Sequence, residues 1–176
     1  MSTEKMTPTP TDYAGVRFRS KSEAVFARSL DLAGANRASG LMWSYEQDTT
    51  KLLGEGTTSD FTLVFKLEHG GDLLLWQIEY KPSKPSAAYV ENWVKRIRAN
   101  GRLVGLHAIA YGSPWNHEYG MVGIGEGFTG LEEESGAWPL GAQSYAAQAR
   151  SYRFDLANPG SNQHLGPVTA MSGGKI

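Results

Sequence analysis

Apolar residues with helical spacing first appear in residues 20–33. Phe26 and Leu30 stand four positions apart, which predicts a helix that buries this stripe and ends at Gly34. Glu23 lies three residues before Phe26, so its carboxylate falls on the same stripe. A buried carboxylate is costly unless a cation or hydrogen bonds meet it, and Glu23 is therefore the first candidate for a functional group.

A second helical pattern occupies residues 86–99. Tyr89, Trp93 and Ile97 recur at intervals of four and form the predicted buried stripe of this helix. The apolar, β-prone residues 102–111 follow, and they predict a buried strand.

Three strands are predicted between the two helices, over residues 41–47, 58–67 and 73–81. In the second strand, Asp60 lies on the face opposite to the one that its aromatic residues share. In the third, Glu79 and Lys81 share one face, roughly 6–7 Å apart. The turn signal at residues 69–72 predicts a hairpin, which brings Asp60 close to Glu79.

The predicted order is helix, three strands, helix and strand. A helix between two strands suits a parallel crossover, so we expect an α/β fold with a central mixed sheet flanked by helices. Weaker patterns predict a strand at 119–125, a short helix at 142–150 and an edge strand at 151–156. The expected organisation is a disordered N-terminus over 1–12, one domain over 13–156 and a flexible C-terminal tail over 157–176.

Composition and charge narrow the class of protein. The chain has 176 residues and no Cys, which fits one domain and excludes disulfides and Cys-ligated zinc. No apolar run approaches the roughly 20 residues that span a membrane, so we expect a cytoplasmic protein without membrane contact. The net charge is −1, yet basic residues cluster in two segments that are suited either to solvated helix faces or to phosphate contacts. These residues are Arg17, Arg19, Lys21 and Arg28 in the first segment, and Lys81, Lys84, Lys95, Arg96, Arg98 and Arg102 in the second.

Asp60, Glu79 and Lys81 are the strongest candidates for chemistry. Two neighbouring carboxylates repel each other, and they persist where a hard divalent cation needs oxygen ligands. A lysine on the same side is suited to orient a water molecule or to stabilise charge that develops on a phosphate. The combination predicts phosphodiester hydrolysis.

Four segments together resemble a known superfamily. They are Tyr13-x-Gly15-x-x-Phe18-Arg19-Ser20-x-x-Glu23-Ala24-x-Phe26-Ala27, Trp43-x-Tyr45-Glu46, Ser59-Asp60-Phe61 and Ile78-Glu79-Tyr80-Lys81-Pro82. Over about residues 13–115 the chain resembles the PD-(D/E)XK nucleases, in particular the phage endonuclease I-like enzymes that resolve Holliday junctions and the TnsA-type transposon endonucleases. It departs from the family pattern at Thr58-Ser59, where Pro often precedes the Asp, and in Tyr80-Lys81-Pro82, where a small or branched residue, Lys and then Gly are more usual.

The resemblance implies a restriction-endonuclease-like core of the order αβββαβ and a Mg²⁺ or Mn²⁺ ion. The implied metal ligands are Asp60, Glu79, Glu23 and the carbonyl of Tyr80, and the implied catalytic residues are Glu23, Asp60, Glu79 and Lys81, with Lys81 acting on the attacking water. The implied DNA contacts are Arg17, Arg19, Lys21, Lys84, Lys95, Arg96, Arg98 and Arg102.

The expected function is a Mg²⁺-dependent DNA endonuclease borne by a phage or mobile element, acting in the bacterial host cell if phage-encoded. A homodimer is expected if both strands of a duplex are cut. The alternatives are a non-catalytic DNA-binding or protein-interaction module that keeps a nuclease fold, and a phage structural or accessory protein with an incidental acidic cluster.

Simpler interpretations of single residues stay open. Glu79 and Lys81 fit a same-face ion pair, and Glu23 fits a local pair with Arg19 or Arg28. Trp115 and Trp138 lie in predicted loops, where they either pack or stack on bases.

Overall fold

The computed structural model describes residues 8–37, 41–45, 59–66, 73–99, 105–113, 115, 118–125, 132–136, 138–152 and 154. The strands are β1 (Thr11–Tyr13), β2 (Val16–Phe18), β3 (Met42–Tyr45), β4 (Phe61–Lys66), β5 (Leu73–Lys81), β6 (Leu106–Gly112), β7 (Tyr119–Gly125) and β8 (Glu132–Ser135). The helices are α1 (Lys21–Arg37), α2 (Ala87–Ala99), a 3₁₀ helix (Pro139–Tyr145) and α3 (Ala146–Arg150). In this described part of the chain, no helix is long and apolar enough to cross a membrane.

Six strands form one mixed sheet in the order β3-β4-β5-β6-β7-β8. Neighbouring strands run antiparallel, except that β5 and β6 are parallel and are connected through α2. A parallel pair needs such a crossover, because the chain must return to the starting edge. The predicted α/β class, the mixed sheet and the order of helix, three strands, helix and strand are confirmed.

Helix α1 covers one face of the sheet, where β4 and β5 pair. Phe26 is fully buried, and its ring centroid lies 5.0 Å from that of Phe61, 4.8 Å from that of Tyr80 and 5.0 Å from that of Trp138. The predicted stripe of this helix is therefore confirmed, and burial of one such side chain contributes roughly 1.5–3 kcal/mol.

Helix α2 covers the opposite face of the sheet. Alternate residues of a strand point to opposite sides, and along β6 Ala108 and Ala110 belong to the cluster under α1, whereas Ile109 and Tyr111 belong to the cluster under α2. Its buried residues Val90, Trp93 and Ile97 pack in one cluster with Ile109, Tyr111, Val122 and Ile124 of β6 and β7. The predicted stripe is correct at Trp93 and Ile97 and wrong at Tyr89, which is 37% exposed. Val90 and Tyr89 lie three and four residues before Trp93, and both positions are close to the helical stripe that contains Trp93. In the structure Val90 is buried in this stripe and Tyr89 lies at the surface.

Other predicted boundaries differ from the structure. Helix α1 continues past Gly34, where an added Cβ would lie 3.1 Å from the Cβ of Leu41, so this glycine allows a close approach and does not end the helix. Strand β1 begins at Thr11, inside the segment predicted to be disordered. The predicted edge strand at 151–156 is wrong at its described residues, which form turns and a bend.

The remaining predictions concern residues that the structure does not describe and two segments in the second half of the chain. The hairpin turn at 69–72, the position of Arg102 and the tail over 157–176 lie outside the described residues. The strand at 119–125 is confirmed, and the helix at 142–150 is confirmed in its second half, whereas its first half is a 3₁₀ helix.

Gly112 ends β6 in a conformation that only glycine adopts easily. Its φ is +125°, and an added Cβ would lie 1.9 Å from the carbonyl oxygen of Glu118. Gly136 also has a positive φ of +80°, but an added Cβ there meets nothing within 4 Å.

We expect Gly136→Ala to lower the free energy of unfolding by about 1 kcal/mol through backbone strain. Gly112→Ala is expected to cost roughly 1–3 kcal/mol more because it also forces a steric clash. Urea denaturation of both variants checks this, and equal losses would contradict it.

Candidate active site

Glu23 lies at the start of α1 and closes a capping box. Its Oε2 accepts the backbone N–H of Ser20 at 2.8 Å, and the Ser20 Oγ accepts the backbone N–H of Glu23 at 3.3 Å. The Glu23 residue is 7% exposed, so the predicted burial is confirmed. A serine followed three residues later by glutamate is the sequence signature of this cap, and local capping therefore explains one oxygen of the carboxylate.

The other oxygen of Glu23 faces a cation that also contacts Asp60. Arg19 Nη2 lies 3.1 Å from Glu23 Oε1 and 2.5 Å from Asp60 Oδ1. The Arg19 Nε donates to the hydroxyl of Tyr45 at 3.2 Å. The structure thus brings Glu23 and Asp60 together through one guanidinium, and of the two predicted partners of Glu23 it identifies Arg19.

Asp60 is held against β5 by a hydrogen bond to the backbone of that strand. Asp60 lies in a bend immediately before β4, whose ladder with β5 ends at the pair Phe61 and Ile78, so the prediction that Asp60 belongs to the strand itself is wrong by one residue. Asp60 Oδ2 accepts the backbone N–H of Tyr80 at 2.8 Å, which ties the carboxylate to the neighbouring strand.

Burial raises the pKa of Asp60 above its ordinary value. The Tyr80 N–H and the positive charges of Arg19 and Lys81 act in the opposite direction without overcoming burial. Lys81 is therefore close enough to influence the Asp60 carboxylate, which links Asp60 to the Glu-x-Lys pair of β5.

Glu79 and Lys81 form the ion pair that the strand pattern predicts. Lys81 Nζ lies 2.9 Å from Glu79 Oε1, and Arg96 Nη2 lies 3.2 Å from Glu79 Oε2. The Tyr89 hydroxyl donates to Glu79, and Lys81 Nζ lies 5.3 Å from the centroid of the Tyr89 ring. Burial acts to lower the pKa of Lys81, but Glu79 and Tyr89 raise it overall, so this amine is charged at neutral pH.

Three further side chains contact the predicted residues, and the sequence patterns predict no catalytic or positioning role for them: Tyr45, Tyr89 and Arg96. Helical spacing predicts Tyr89 in the buried stripe of α2, and the family resemblance implies Arg96 among the DNA contacts. Their contacts depend on how α2 lies across β5, which spacing within either element does not encode. The capping box, by contrast, was visible in the sequence as Ser20-x-x-Glu23.

The predicted metal ligands meet the requirements of a divalent ion in part. Among the described residues, no three side chains of His, Asp or Glu form a group that could hold a metal ion. Mg²⁺ needs only one or two carboxylates and keeps its waters. The pair Asp60 and Glu79 supplies that number, and Asp60 accepts the backbone N–H of Tyr80, the residue after Glu79. Each carboxylate of this pair also faces a cationic side chain, which an incoming metal ion has to outcompete.

The predicted DNA contacts lie at the surface on both sides of these carboxylates. Exposed positions are Arg17, Arg19, Lys21, Lys84, Lys95, Arg96 and Arg98. Arg17 pairs with Asp12 at 2.7 Å, Lys95 pairs with Glu91 at 2.8 Å, and Lys84 Nζ lies 5.8 Å from the centroid of the Tyr111 ring. Their exposure is compatible with both the solvated and the phosphate-binding interpretation.

Comparison with protein-family models, curated proteins and solved structures found no match to this chain. The geometry of the site and the resemblance of its motifs are therefore the observations that bear on the function of this chain.

Proposed function

We propose that this chain is a metal-dependent DNA endonuclease with a restriction-endonuclease-like core. The observation that carries the proposal is the hydrogen bond from the Tyr80 backbone N–H to Asp60 Oδ2 at 2.8 Å, which ties Asp60 to the strand that carries Glu79 and Lys81. On that strand, Lys81 Nζ lies 2.9 Å from Glu79 Oε1. Phosphodiester hydrolysis with a metal ion uses carboxylates that bind the ion and a charged amine beside them. Asp60, Glu79 and Lys81 are groups of these kinds. The position of Glu23 beside Asp60, through Arg19, adds to this support.

Each residue has a distinct part in the proposed reaction. Asp60, Glu79 and the Tyr80 carbonyl would hold the divalent ion, and Glu23 would complete the acidic site. A bound Mg²⁺ or Mn²⁺ ion polarises the phosphate and lowers the pKa of a water molecule. The Lys81 ammonium donates hydrogen bonds to the attacking water or to the phosphate oxygens, where negative charge develops.

The proposal is tested by incubating the purified protein with supercoiled plasmid, linear duplex and four-way-junction DNA, with and without Mg²⁺. We expect nicks or breaks only when the metal is present. Nicks in one strand indicate a single active site, whereas breaks of both strands favour the proposed homodimer. Failure to cleave any of these substrates with either Mg²⁺ or Mn²⁺ argues against a nuclease.

A second candidate function is a nucleic-acid-binding module that does not cleave. The observation that favours it is the pairing of the carboxylates with the chain's own cations, Arg19 at Asp60 and Lys81 with Arg96 at Glu79. Such a module binds DNA in a salt-dependent manner and shows no metal-dependent cleavage.

Both candidates predict phosphate contacts from α2. Lys95 and Arg98 are exposed on this helix, so we expect the double variant Lys95→Gln/Arg98→Gln to reduce the slope of log affinity against log salt by about 2. Fluorescence anisotropy with a labelled duplex at several salt concentrations measures this slope. The control is Lys66→Gln, at the other end of β4 from Asp60, which is expected to leave the slope unchanged. An unchanged slope in the double variant would remove α2 from the DNA interface.

A further inference from the structure

Glu23 and Asp60 share one cation that belongs to the chain itself. A single guanidinium nitrogen, Arg19 Nη2, lies 3.1 Å from Glu23 Oε1 and 2.5 Å from Asp60 Oδ1. Tyr45 orients this guanidinium, because its hydroxyl accepts the Arg19 Nε at 3.2 Å and the Arg19 backbone N–H at 3.3 Å. Arg19 therefore contacts two of the three carboxylates of the proposed site, and its single positive charge offsets one of their two negative charges.

The carboxylates and the guanidinium differ in how firmly they are held. The Glu23 and Asp60 side chains are 9% and 13% exposed, and each accepts a backbone N–H, from Ser20 and Tyr80 respectively. The Arg19 side chain is 58% exposed. Rotation of the long arginine side chain into solvent therefore leaves the acidic groups in place, whereas removal of either acid breaks a bond to the backbone.

We propose that Arg19 is an internal counterion of the metal-free protein and that a divalent cation displaces its guanidinium from Asp60. This inference rests on the proposed metal-dependent function. A metal ion that must outcompete Arg19 binds only those molecules in which the ion pair of Arg19 and Asp60 is open. Its apparent association constant is therefore the intrinsic constant multiplied by the fraction of open molecules. The released guanidinium stays tethered beside the metal, where its planar set of N–H donors suits a phosphate group.

Calorimetric titration with Mn²⁺ tests the competition. Removing an ion pair of this exposure is expected to tighten Mn²⁺ binding about fivefold in Arg19→Gln. The matched control is Arg17→Gln, which removes an exposed arginine paired with Asp12 and is expected to change the affinity less than twofold. Equal or weaker binding by Arg19→Gln overturns the inference.

A measurement on the unaltered protein separates displacement from simple charge repulsion. The exchange of the Arg19 Nε proton with water is followed by NMR while Mg²⁺ is added. Displacement is expected to accelerate this exchange by at least about tenfold, because the bond to Tyr45 and the contacts to the acids are lost together. An Nε proton that stays protected while Mg²⁺ binds overturns the inference and leaves the proposed function standing.

The two proposals fail in distinguishable ways. Absence of Mn²⁺ and Mg²⁺ binding by the unaltered protein ends the proposed function together with this inference. Should Arg19→Gln not fold, the NMR measurement on the unaltered protein decides the question.

Discussion

Replacing Asp60 with asparagine is expected to reduce metal-dependent DNA cleavage at least about 100-fold. The change removes the charge that the proposed metal ion needs, and losing even the partners of a metal ligand typically costs 10–100-fold. In the unaltered protein the backbone nitrogen of Tyr80 lies 2.8 Å from Asp60 Oδ2. The amide oxygen of asparagine can still accept this N–H. Single-turnover cleavage of supercoiled plasmid measures the effect.

Asp12 offers the matched control for this experiment. It is a carboxylate paired with Arg17 at 2.7 Å, and its side chain is 62% exposed. Asp12→Asn is expected to cleave DNA at the unaltered rate. Full activity in Asp60→Asn would end the assignment of Asp60 to the active site.

The stability of Asp60→Asn separates a lost function from a lost fold. Because burial raises the pKa of Asp60 above 3.8, the folded state binds the proton more tightly than the unfolded state does. The stability from this group is therefore fully present below pH 3.8 and is lost as the pH rises through the folded pKa. The neutral asparagine avoids this loss at pH 7 and gives up the ion pair with Arg19 and the attraction to the charge of Lys81. We expect its melting temperature to stay within about 3 °C of the unaltered protein.

Replacing Trp138 with alanine is expected to lower the free energy of unfolding by about 4 kcal/mol and the melting temperature by about 10 °C. Trp138 is 2% exposed, and its indole N–H donates to the carbonyl oxygen of Tyr111 at 2.8 Å. Its ring contacts Phe26, Tyr80 and Tyr119, with centroid separations of 5.0, 6.0 and 4.7 Å. Thermal and urea denaturation measure the loss.

Two variants give this prediction its controls. Trp138→Phe keeps an aromatic ring but removes the indole N–H that donates to the Tyr111 carbonyl, so we expect a smaller loss of roughly 1–3 kcal/mol. Trp115, which is 47% exposed, is expected to tolerate Trp115→Ala within about 0.5 kcal/mol. Equal losses at positions 115 and 138 would contradict the role of Trp138 as a core residue.

The burial of Trp138 also gives a role to a part of the chain that the sequence left unassigned. The two interpretations of this tryptophan were packing and base stacking, and packing is confirmed. The segment over 138–152 therefore closes the core beside α1, and the 3₁₀ helix and α3 both contact that helix.

The sequence by itself determined the local features of the proposed site. Alternation along β5 placed Glu79 and Lys81 on one side, and helical spacing placed Glu23 on the buried side of α1; both are confirmed. These predictions succeed because side-chain direction within one element follows from its own periodicity. The order of elements likewise predicted the mixed sheet, because a helix between parallel strands is the usual crossover.

Only the tertiary structure decided which elements meet at the site. The pairing of Arg19 with Asp60 joins the entry to α1 with the start of β4, and the contact of Tyr89 with Glu79 joins α2 with β5. Such contacts depend on strand register and on the position of each helix over the sheet. A single sequence does not encode them locally, because they arise from the packing of side chains that lie far apart along the chain.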